Sequence, residues 1–108
     1  MGRALELLRK MPHGVRQKMG HAVSEAQFGR TVEYATQMKG SLREVTEVVT
    51  RFDGDTYRLM YTVKLHGRVY VLDVFQKKSK HGIATPRSDL ARVELRLKAA
   101  KAHFETTR

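Results

Sequence analysis

The fold is decided by residues 44–65, which read EVTEVVTRFDGDTYRLMYTVKL. Residues 44–52 are rich in β-branched side chains, and residues 56–65 alternate between two faces, so both segments predict strands. Between them, Asp53-Gly54-Asp55 predicts a tight hairpin turn. The middle of the chain is therefore expected to form an antiparallel hairpin.

The segments on either side of this hairpin complete the expected fold. After a tight turn at His66-Gly67, a third strand is predicted over about 68–77, and its apolar centre favours a position in mid-sheet or beneath helices. Residues 30–43 are polar and predict irregular structure. Helices are predicted over 3–11, over 12–28 with Gly29 as a C-cap, and over 87–104. The expected fold class is α+β, with N-terminal helices, an antiparallel meander of three or four strands and a C-terminal helix packed on the sheet.

Length and composition indicate one folded domain over residues 1–108, with residues 1–11 as a helical extension of it. Hydrophobic residues make up 41% of the chain and charged residues 30%, which is typical of a globular protein. Apolar runs stay short of the ~18 to 20 residues that a membrane span needs, and the N-terminus lacks the apolar region of a signal peptide. The chain has no cysteine, which excludes disulfides and thiolate-held metals. The expectation is a cytoplasmic protein.

Positive charge is concentrated in the second half of the chain. Residues 58–108 carry 12 Lys/Arg and four Asp/Glu, a balance of +8, whereas residues 1–57 have a balance of +2. Such a basic half attracts polyanions, with nucleic acid the leading candidate and an anionic membrane the next. A merely well-charged, soluble surface is the alternative.

Five cations are candidates for a binding site in the predicted sheet. Arg58 lies in the middle of a strand, where a permanent charge must reach solvent, an acid or a ligand. Arg51 ends the preceding strand, and three lysines (Lys77, Lys78 and Lys80) close the third strand. An antiparallel meander can bring these positions to one rim, where they could bind a phosphate and stabilise developing negative charge. The alternative is that the lysines only solubilise the end of an apolar strand.

Other kinds of site have little support in the sequence. The five histidines lie far apart, without the paired spacing of metal ligands, and Asp53 and Asp55 belong to a turn. A Gly-rich phosphate loop and a nucleophile elbow are both missing. Neither a metal nor a cofactor is therefore expected.

The central motifs resemble a known toxin family. These motifs are Tyr57-Arg58-Leu59-Met60-Tyr61-Thr62-Val63, Val69-Tyr70-Val71-Leu72, Phe75-Gln76-Lys77-Lys78-Ser79-Lys80 and Thr85-Pro86. They resemble the phage-derived HigB-like branch of the RelE toxin superfamily, and the resemblance covers roughly residues 12–104. Asp73 departs from the pattern of many relatives, which carry His at that position. A late tyrosine that stacks on a base in some relatives has no counterpart after Lys80.

The resemblance implies a RelE-like fold and the toxin of a type II toxin–antitoxin pair. Such toxins are metal-independent endoribonucleases that cut mRNA, usually in the ribosomal decoding site, and their antitoxins in this branch often carry a helix-turn-helix domain. The implied partners are therefore a cognate antitoxin, mRNA and the ribosome.

The resemblance also implies roles for particular residues. Arg58 matches the strand arginine that would contact the scissile phosphate, Lys77 and Lys78 match the basic pair after the third strand, and Arg51 matches a basic residue less closely. His81 is a further candidate on chemical grounds, as a proton shuttle near neutral pH, although a loop histidine is more often only a surface residue. We also expect Lys64, Lys80 and Arg96 to contact RNA.

Two other functions remain open from the sequence. A non-catalytic basic module would bind RNA or DNA with a strong dependence on salt and form no product. A membrane-surface protein would use the C-terminal helix, but that helix lacks tryptophan and has few large aromatic residues on its apolar face.

Overall fold

The computed structural model of the protein describes residues 2–64, 68–78 and 87–107. In chain order, the helices are α1 (Gly2–Arg9), α2 (His13–Gln27) and α3 (Arg87–Thr107), and the strands are β1 (Ala35–Gln37), β2 (Val45–Phe52), β3 (Asp55–Lys64) and β4 (Arg68–Lys78); a 3-10 turn covers Gly40–Leu42. The strands form an antiparallel sheet in the order β1-β2-β3-β4. The expected α+β fold, with a meander between N-terminal helices and a C-terminal helix, is confirmed.

Residues 30–43 are more regular than the sequence indicates. They contain β1, which pairs with β2 so that Ala35 lies opposite Val48. The prediction of irregular structure is therefore wrong for this segment. A strand of three residues is too short to show a period of two, and its conformation depends on pairing with β2 rather than on local propensity.

The turn between β2 and β3 has the geometry that its sequence predicts. Asp53 and Gly54 both have positive φ, of 54° and 82°, and Phe52 pairs with Asp55 across the turn. Two successive residues with positive φ are typical of the hairpin turn whose twist matches the strands, and Asp-Gly is a favoured pair for it. This turn fixes the register of β2 against β3.

Helices cover both faces of the sheet. On one face, α1 and α2 pack on a core that includes Val15, Met19, Ala22, Val48, Leu59, Tyr61 and Val74. On the other face, α3 contributes Val93, Leu97 and Ala100 to a core with Val45, Met60 and Leu72. β4 is an edge strand, so its predicted mid-sheet position is wrong, whereas the alternative of cover by helices is confirmed. That cover explains why β4 is apolar on both sides.

The end of α2 agrees with the glycine cap that the sequence predicts. Gly29 follows α2 with a φ of 78°, and its N–H donates to the Ala26 carbonyl at 3.0 Å. The next N–H, of Arg30, donates to the Glu25 carbonyl, which completes a glycine-terminated helix end.

In the part of the chain that the structure describes, none of the helices is long and apolar enough to cross a membrane.

A bulge in β4 sets which of its side chains face α3. Met60 lies opposite Asp73 but Tyr61 lies opposite Val71, so Leu72 is an extra residue on the β4 side. As a result, Leu72 packs in the α3 core and the neighbouring Asp73 also meets side chains of α3. The bulge therefore directs a carboxylate towards the C-terminal helix.

Candidate phosphate-binding site

The strand register brings three of the sequence-predicted cations to one end of the sheet. Arg51 lies opposite Thr56, and Thr56 lies opposite Lys77. Arg58, two residues after Thr56, belongs to the neighbouring row on the same face, because residues two apart on a strand share a face. The positions of Arg51, Arg58 and Lys77 therefore lie in two adjacent rows on the α3 side of the sheet, which we call the basic face.

Arg58 lies in the interior of the basic face and is paired with an acid. Its Nη1 donates to Glu47 Oε2 at 2.7 Å, and the two side chains are 5% and 14% exposed. Of the three fates that a mid-strand arginine can have, the structure therefore gives pairing with an acid. Such a pair holds the guanidinium in one orientation, and it also reduces the net charge that this position offers to a phosphate.

Arg51 differs from Arg58 because it is exposed, next to the hairpin turn. Lys78 lies opposite Asp55 and so belongs to a row on the other face of the sheet. Lys80 and His81, both predicted to act at the site, lie outside the described residues.

Lys64 lies at the opposite end of the sheet from the predicted cluster. It is eight residues from Thr56 along β3, which corresponds to roughly 26 Å at the rise of a strand. Its ammonium is 4.0 Å from Glu44, which also pairs with Lys101. The hydrogen bond from Lys101 and the nearby charge of Lys64 hold the pKa of Glu44 below its usual value. If Lys64 contacts RNA, it does so away from the basic face.

A buried carboxylate joins two arginines of α3 to β4. Asp73 is 2% exposed, and it accepts hydrogen bonds from Arg92 Nε and Arg96 Nη1, each at 2.6 Å. Arg96 Nη1 also donates to the Leu72 carbonyl at 3.1 Å, and Arg92 Nη2 donates to Asp89 at 2.8 Å. We call Asp73, Asp89, Arg92 and Arg96 the arginine clamp, because they attach the helix to the strand.

Burial and the nearby carboxylates shift the pKa of Arg92 in opposite directions. Burial alone would lower the pKa of its guanidinium, but the hydrogen bonds with Asp73 and Asp89 outweigh this effect, and the pKa is raised. The guanidinium carbon also lies 5.4 Å from the centre of the Phe75 ring, within the range of a cation–π contact. Arg92 therefore remains a fixed cation beside the ring of Phe75, and Phe75 lies opposite Arg58 in the sheet.

An open cleft of about 470 Å³ adjoins the arginine clamp at the outer edge of β4. Among the residues that the structure describes, its basic lining consists of Arg92 and Arg96, which are partly exposed, and Lys10, which follows α1. The other described residues that line it are Leu7, Met11, Asp73, Val74, Phe75 and Gln76. Arg96, predicted to contact RNA, thus lines a cleft wide enough for a ligand while one of its nitrogens holds Asp73.

Comparison with models of protein families shows to which family the chain belongs. The model of the family described as "Phage derived protein Gp49-like (DUF891)" matches residues 6–98. The chain belongs to this family. It is a toxin-like family related in general to RelE and HigB. No curated protein and no solved structure matches the chain with significance.

The part of this Gp49-like protein that matches the family includes the whole sheet and the arginine clamp. It begins within α1, whose end packs against the α2 side of the core through Leu7, Leu8 and the following Met11. Among residues 2–64, 68–78 and 87–107, His, Asp and Glu side chains form no group that could hold a metal ion.

Sequence reasoning missed the acids of this Gp49-like protein. It does not pair Glu47 or Asp73 with an arginine, and it assigns no role to Arg92. Two signals were available: Asp73 interrupts an apolar strand, and Arg92 and Arg96 are four residues apart, on one side of a helix. A buried charge normally needs a partner, so these signals together could have indicated the clamp.

Proposed function

We propose that this Gp49-like protein is the toxin of a type II toxin–antitoxin pair and acts as a metal-independent endoribonuclease on mRNA bound to the ribosome. The observation that carries the proposal is the convergence of Arg51, Arg58 and the Lys77 position on one end of the sheet, in a chain of a toxin-like family. The formal net charge of +10 suits a polyanionic substrate.

The proposed reaction is a transesterification within the RNA backbone. A ribose 2′-oxygen attacks the adjacent phosphorus, the bond from phosphorus to the 5′-oxygen breaks, and that oxygen receives a proton. The products are a 2′,3′-cyclic phosphate and a 5′-hydroxyl. Negative charge accumulates on the phosphoryl oxygens in the transition state, and fixed cations stabilise it more than they stabilise the ground state.

The proposed roles of the two arginines draw on their positions in the sheet, and those of the two lysines draw on the family resemblance. Arg51 is exposed and would contact the scissile phosphate or its neighbour directly. Arg58 would act from its fixed position beside Glu47, and Lys77 with Lys78 would stabilise the phosphate or donate the proton to the leaving oxygen. His81 is retained as a candidate proton shuttle.

The proposed regulator is an antitoxin that masks the basic surface. A cognate partner with acidic side chains facing the cations would neutralise them and block RNA, and the family resemblance favours a partner with a helix-turn-helix domain. Co-expression with the adjacent small reading frame, followed by co-purification, would test the pairing.

The decisive experiment is cleavage of mRNA on translating ribosomes by the purified protein. We expect new 5′ ends in primer extension, and we expect the Lys77→Ala/Lys78→Ala variant to lose them. The matched control removes two exposed lysines elsewhere, Lys39 and Lys98, and should keep full cleavage. Intact mRNA with saturated, demonstrably bound ribosomes would contradict the proposal.

The ion pair between Arg58 and Glu47 favours a second function, a non-catalytic module that binds RNA or DNA. If Arg58 acts only within the core, the basic face could bind a polyanion without reacting with it. Such a module would bind RNA with a steep dependence on salt and form no cyclic phosphate. The same ribosome assay, combined with a binding measurement, separates the two functions.

A further inference from the structure

A second pocket lies at the end of the sheet, on the face opposite the arginine clamp. It has a volume of about 140 Å³ and lies between the start of α2 and the end of β2. We call it the end pocket; its lining residues are Gly14, Val15, Lys18, Thr50, Arg51 and Phe52. One water occupies roughly 30 Å³ in the liquid, so this space is large enough for a single phosphate group.

The first turn of α2 supplies one side of the end pocket. The residue before the helix is Pro12, which makes no side-chain hydrogen bond to cap the helix. The first N–H groups of a helix have no partner within it, and together with the helix dipole they favour an anion. Gly14 has open space where a side chain would begin, so a ligand can approach this backbone closely.

Thr50 supplies an independent indication of a ligand. Its side chain is 4% exposed, and its hydroxyl has no hydrogen-bond partner among the residues that the structure describes. Thr50 shares a strand face with Val48, which packs against α2, so its side chain is directed towards the helix and the end pocket. Buried hydroxyls are normally satisfied, and an oxygen atom of a ligand would satisfy this one.

Charge and an aromatic ring define the ligand further. Lys18 lines the end pocket and brings a positive charge to it; Arg51 also lines it, with a side chain that its strand position directs to the basic face. Among the residues that the structure describes, the lining includes no acidic residue. Phe52 lies at its rim with 47% of its surface exposed. Cations that follow a phosphate backbone, next to an aromatic ring on which a base can stack, are the usual features of single-strand binding.

We propose that the end pocket binds one phosphate of single-stranded RNA, with the adjacent base stacked on Phe52. The inference rests on the proposed function, since it gives the substrate strand a second contact. Thr50 and Arg51 are consecutive and face opposite sides of the sheet, so the end pocket and the basic face meet at the sheet end. A single-stranded RNA held in the end pocket would therefore continue onto the basic face.

The test uses a short single-stranded RNA whose 2′-oxygens are methylated, so that it binds but cannot be cleaved. Binding is measured by fluorescence anisotropy without ribosomes. We expect about tenfold weaker binding for Phe52→Ala, since stacking of one base is lost. We expect Lys18→Met to weaken binding severalfold and to reduce the salt slope by about 0.7. Lys98→Met, which removes an exposed lysine of α3, is the matched control and should change the slope less.

Thr50→Val separates the ligand role of the hydroxyl from a structural one. Because the hydroxyl has no described partner, this variant should melt at the same temperature as the original protein or higher, yet bind RNA severalfold more weakly. In the unmodified protein, the amide NMR signals of Gly14 and Val15 should shift when the RNA is added, which requires no variant to fold.

Failure of this inference differs from failure of the proposed function. Unchanged affinity and salt slope in Lys18→Met and Thr50→Val, or amide signals that shift with inorganic phosphate but not with RNA, would overturn the end pocket as an RNA site. Cleavage of mRNA on ribosomes would be unaffected by that result. Conversely, binding of the methylated RNA as described, without cleavage on ribosomes, would leave the end pocket in place and overturn only the nuclease.

Discussion

Arg58 of β3 donates a 2.7 Å hydrogen bond to Glu47 of the neighbouring strand, and both side chains are largely buried. Glu47 lies opposite Met60, two residues from Arg58, so the pair is diagonal across the sheet. One arginine therefore belongs to both the candidate site and the core. Loss of activity in an Arg58 variant is informative only when its folding is measured as well.

Removing Arg58 should destabilise the protein strongly. Arg58→Ala leaves the buried Glu47 carboxylate without this partner, which typically costs about 3 kcal/mol. Urea unfolding followed by circular dichroism measures the change in the free energy of unfolding. Glu47→Gln should also be destabilising, because it removes one charge of the same pair.

The double variant Arg58→Met/Glu47→Leu provides the control for this prediction. It removes both charges and keeps apolar volume, so it should recover much of the stability lost in either single variant. Losses that simply add in the double variant would show that the two residues do not stabilise the fold as a pair.

Arg51 offers a cleaner test of chemistry than Arg58, because it is exposed beside the hairpin turn. If it contacts a phosphate in the transition state, Arg51→Ala should reduce the rate of mRNA cleavage about 100-fold. Its free energy of unfolding should change by less than about 0.5 kcal/mol, as for most surface substitutions. Arg43→Ala, at another exposed arginine, should leave both quantities unchanged; equal rates for the two variants would remove Arg51 from the site.

Asp73 should contribute more to stability than either of the arginines it binds. Asp73→Asn removes the charge that Arg92 and Arg96 share and should cost about 3 kcal/mol in the free energy of unfolding. Arg92→Met and Arg96→Met should each cost less, because one arginine remains on the carboxylate. Urea unfolding of the three variants measures how much free energy of unfolding each one loses.

Hydrogen exchange would show which part of the structure is destabilised in Asp73→Asn. The arginine clamp attaches α3 to β4, so amide protons of α3 should exchange faster in Asp73→Asn while those of α2, which packs on the other face, change little. Equal acceleration in α2 and α3 would mean that Asp73 stabilises the whole domain rather than the attachment of the helix.

Local sequence signals were sufficient for the three helices, for β2, β3 and β4, and for the register of the hairpin between β2 and β3. Asp53-Gly54 fixes β2 against β3, and that register alone places Arg51 and Arg58 on one face. The α3 stripe through Val93 and Leu97 follows from a helical period of apolar residues.

These local signals could not predict Glu47 and Asp73, the acids that pair with the arginines. The bulge that brings Asp73 to α3 depends on pairing between β3 and β4, and a shift of one residue changes which face a side chain occupies. Glu47 meets Arg58 only because the two strands pair in one register. β1 was missed for the same reason, since its conformation depends on β2 rather than on its own three residues.

Buried tyrosines should make the protein less stable at alkaline pH. Burial raises the pKa of the Tyr61 phenol above its ordinary value of 10.0, although a hydrogen bond with Thr46 acts in the opposite direction. A raised pKa in the folded state means that the stabilisation is fully present below pH 10 and is lost as the pH rises through the folded-state value. Burial also raises the pKa of Tyr34, whose hydroxyl donates to the Lys18 carbonyl at 2.8 Å.

Tyr61→Phe tests this origin of the pH dependence. The variant removes the ionisable group but keeps the ring in its core between α2 and the sheet, so its stability should fall less steeply above pH 10 than that of the original protein. Urea unfolding at a series of alkaline pH values gives the two slopes, and ultraviolet absorbance follows ionisation of the phenols directly. Identical slopes for the two proteins would assign the alkaline loss to other groups, with Tyr34→Phe as the next variant to measure.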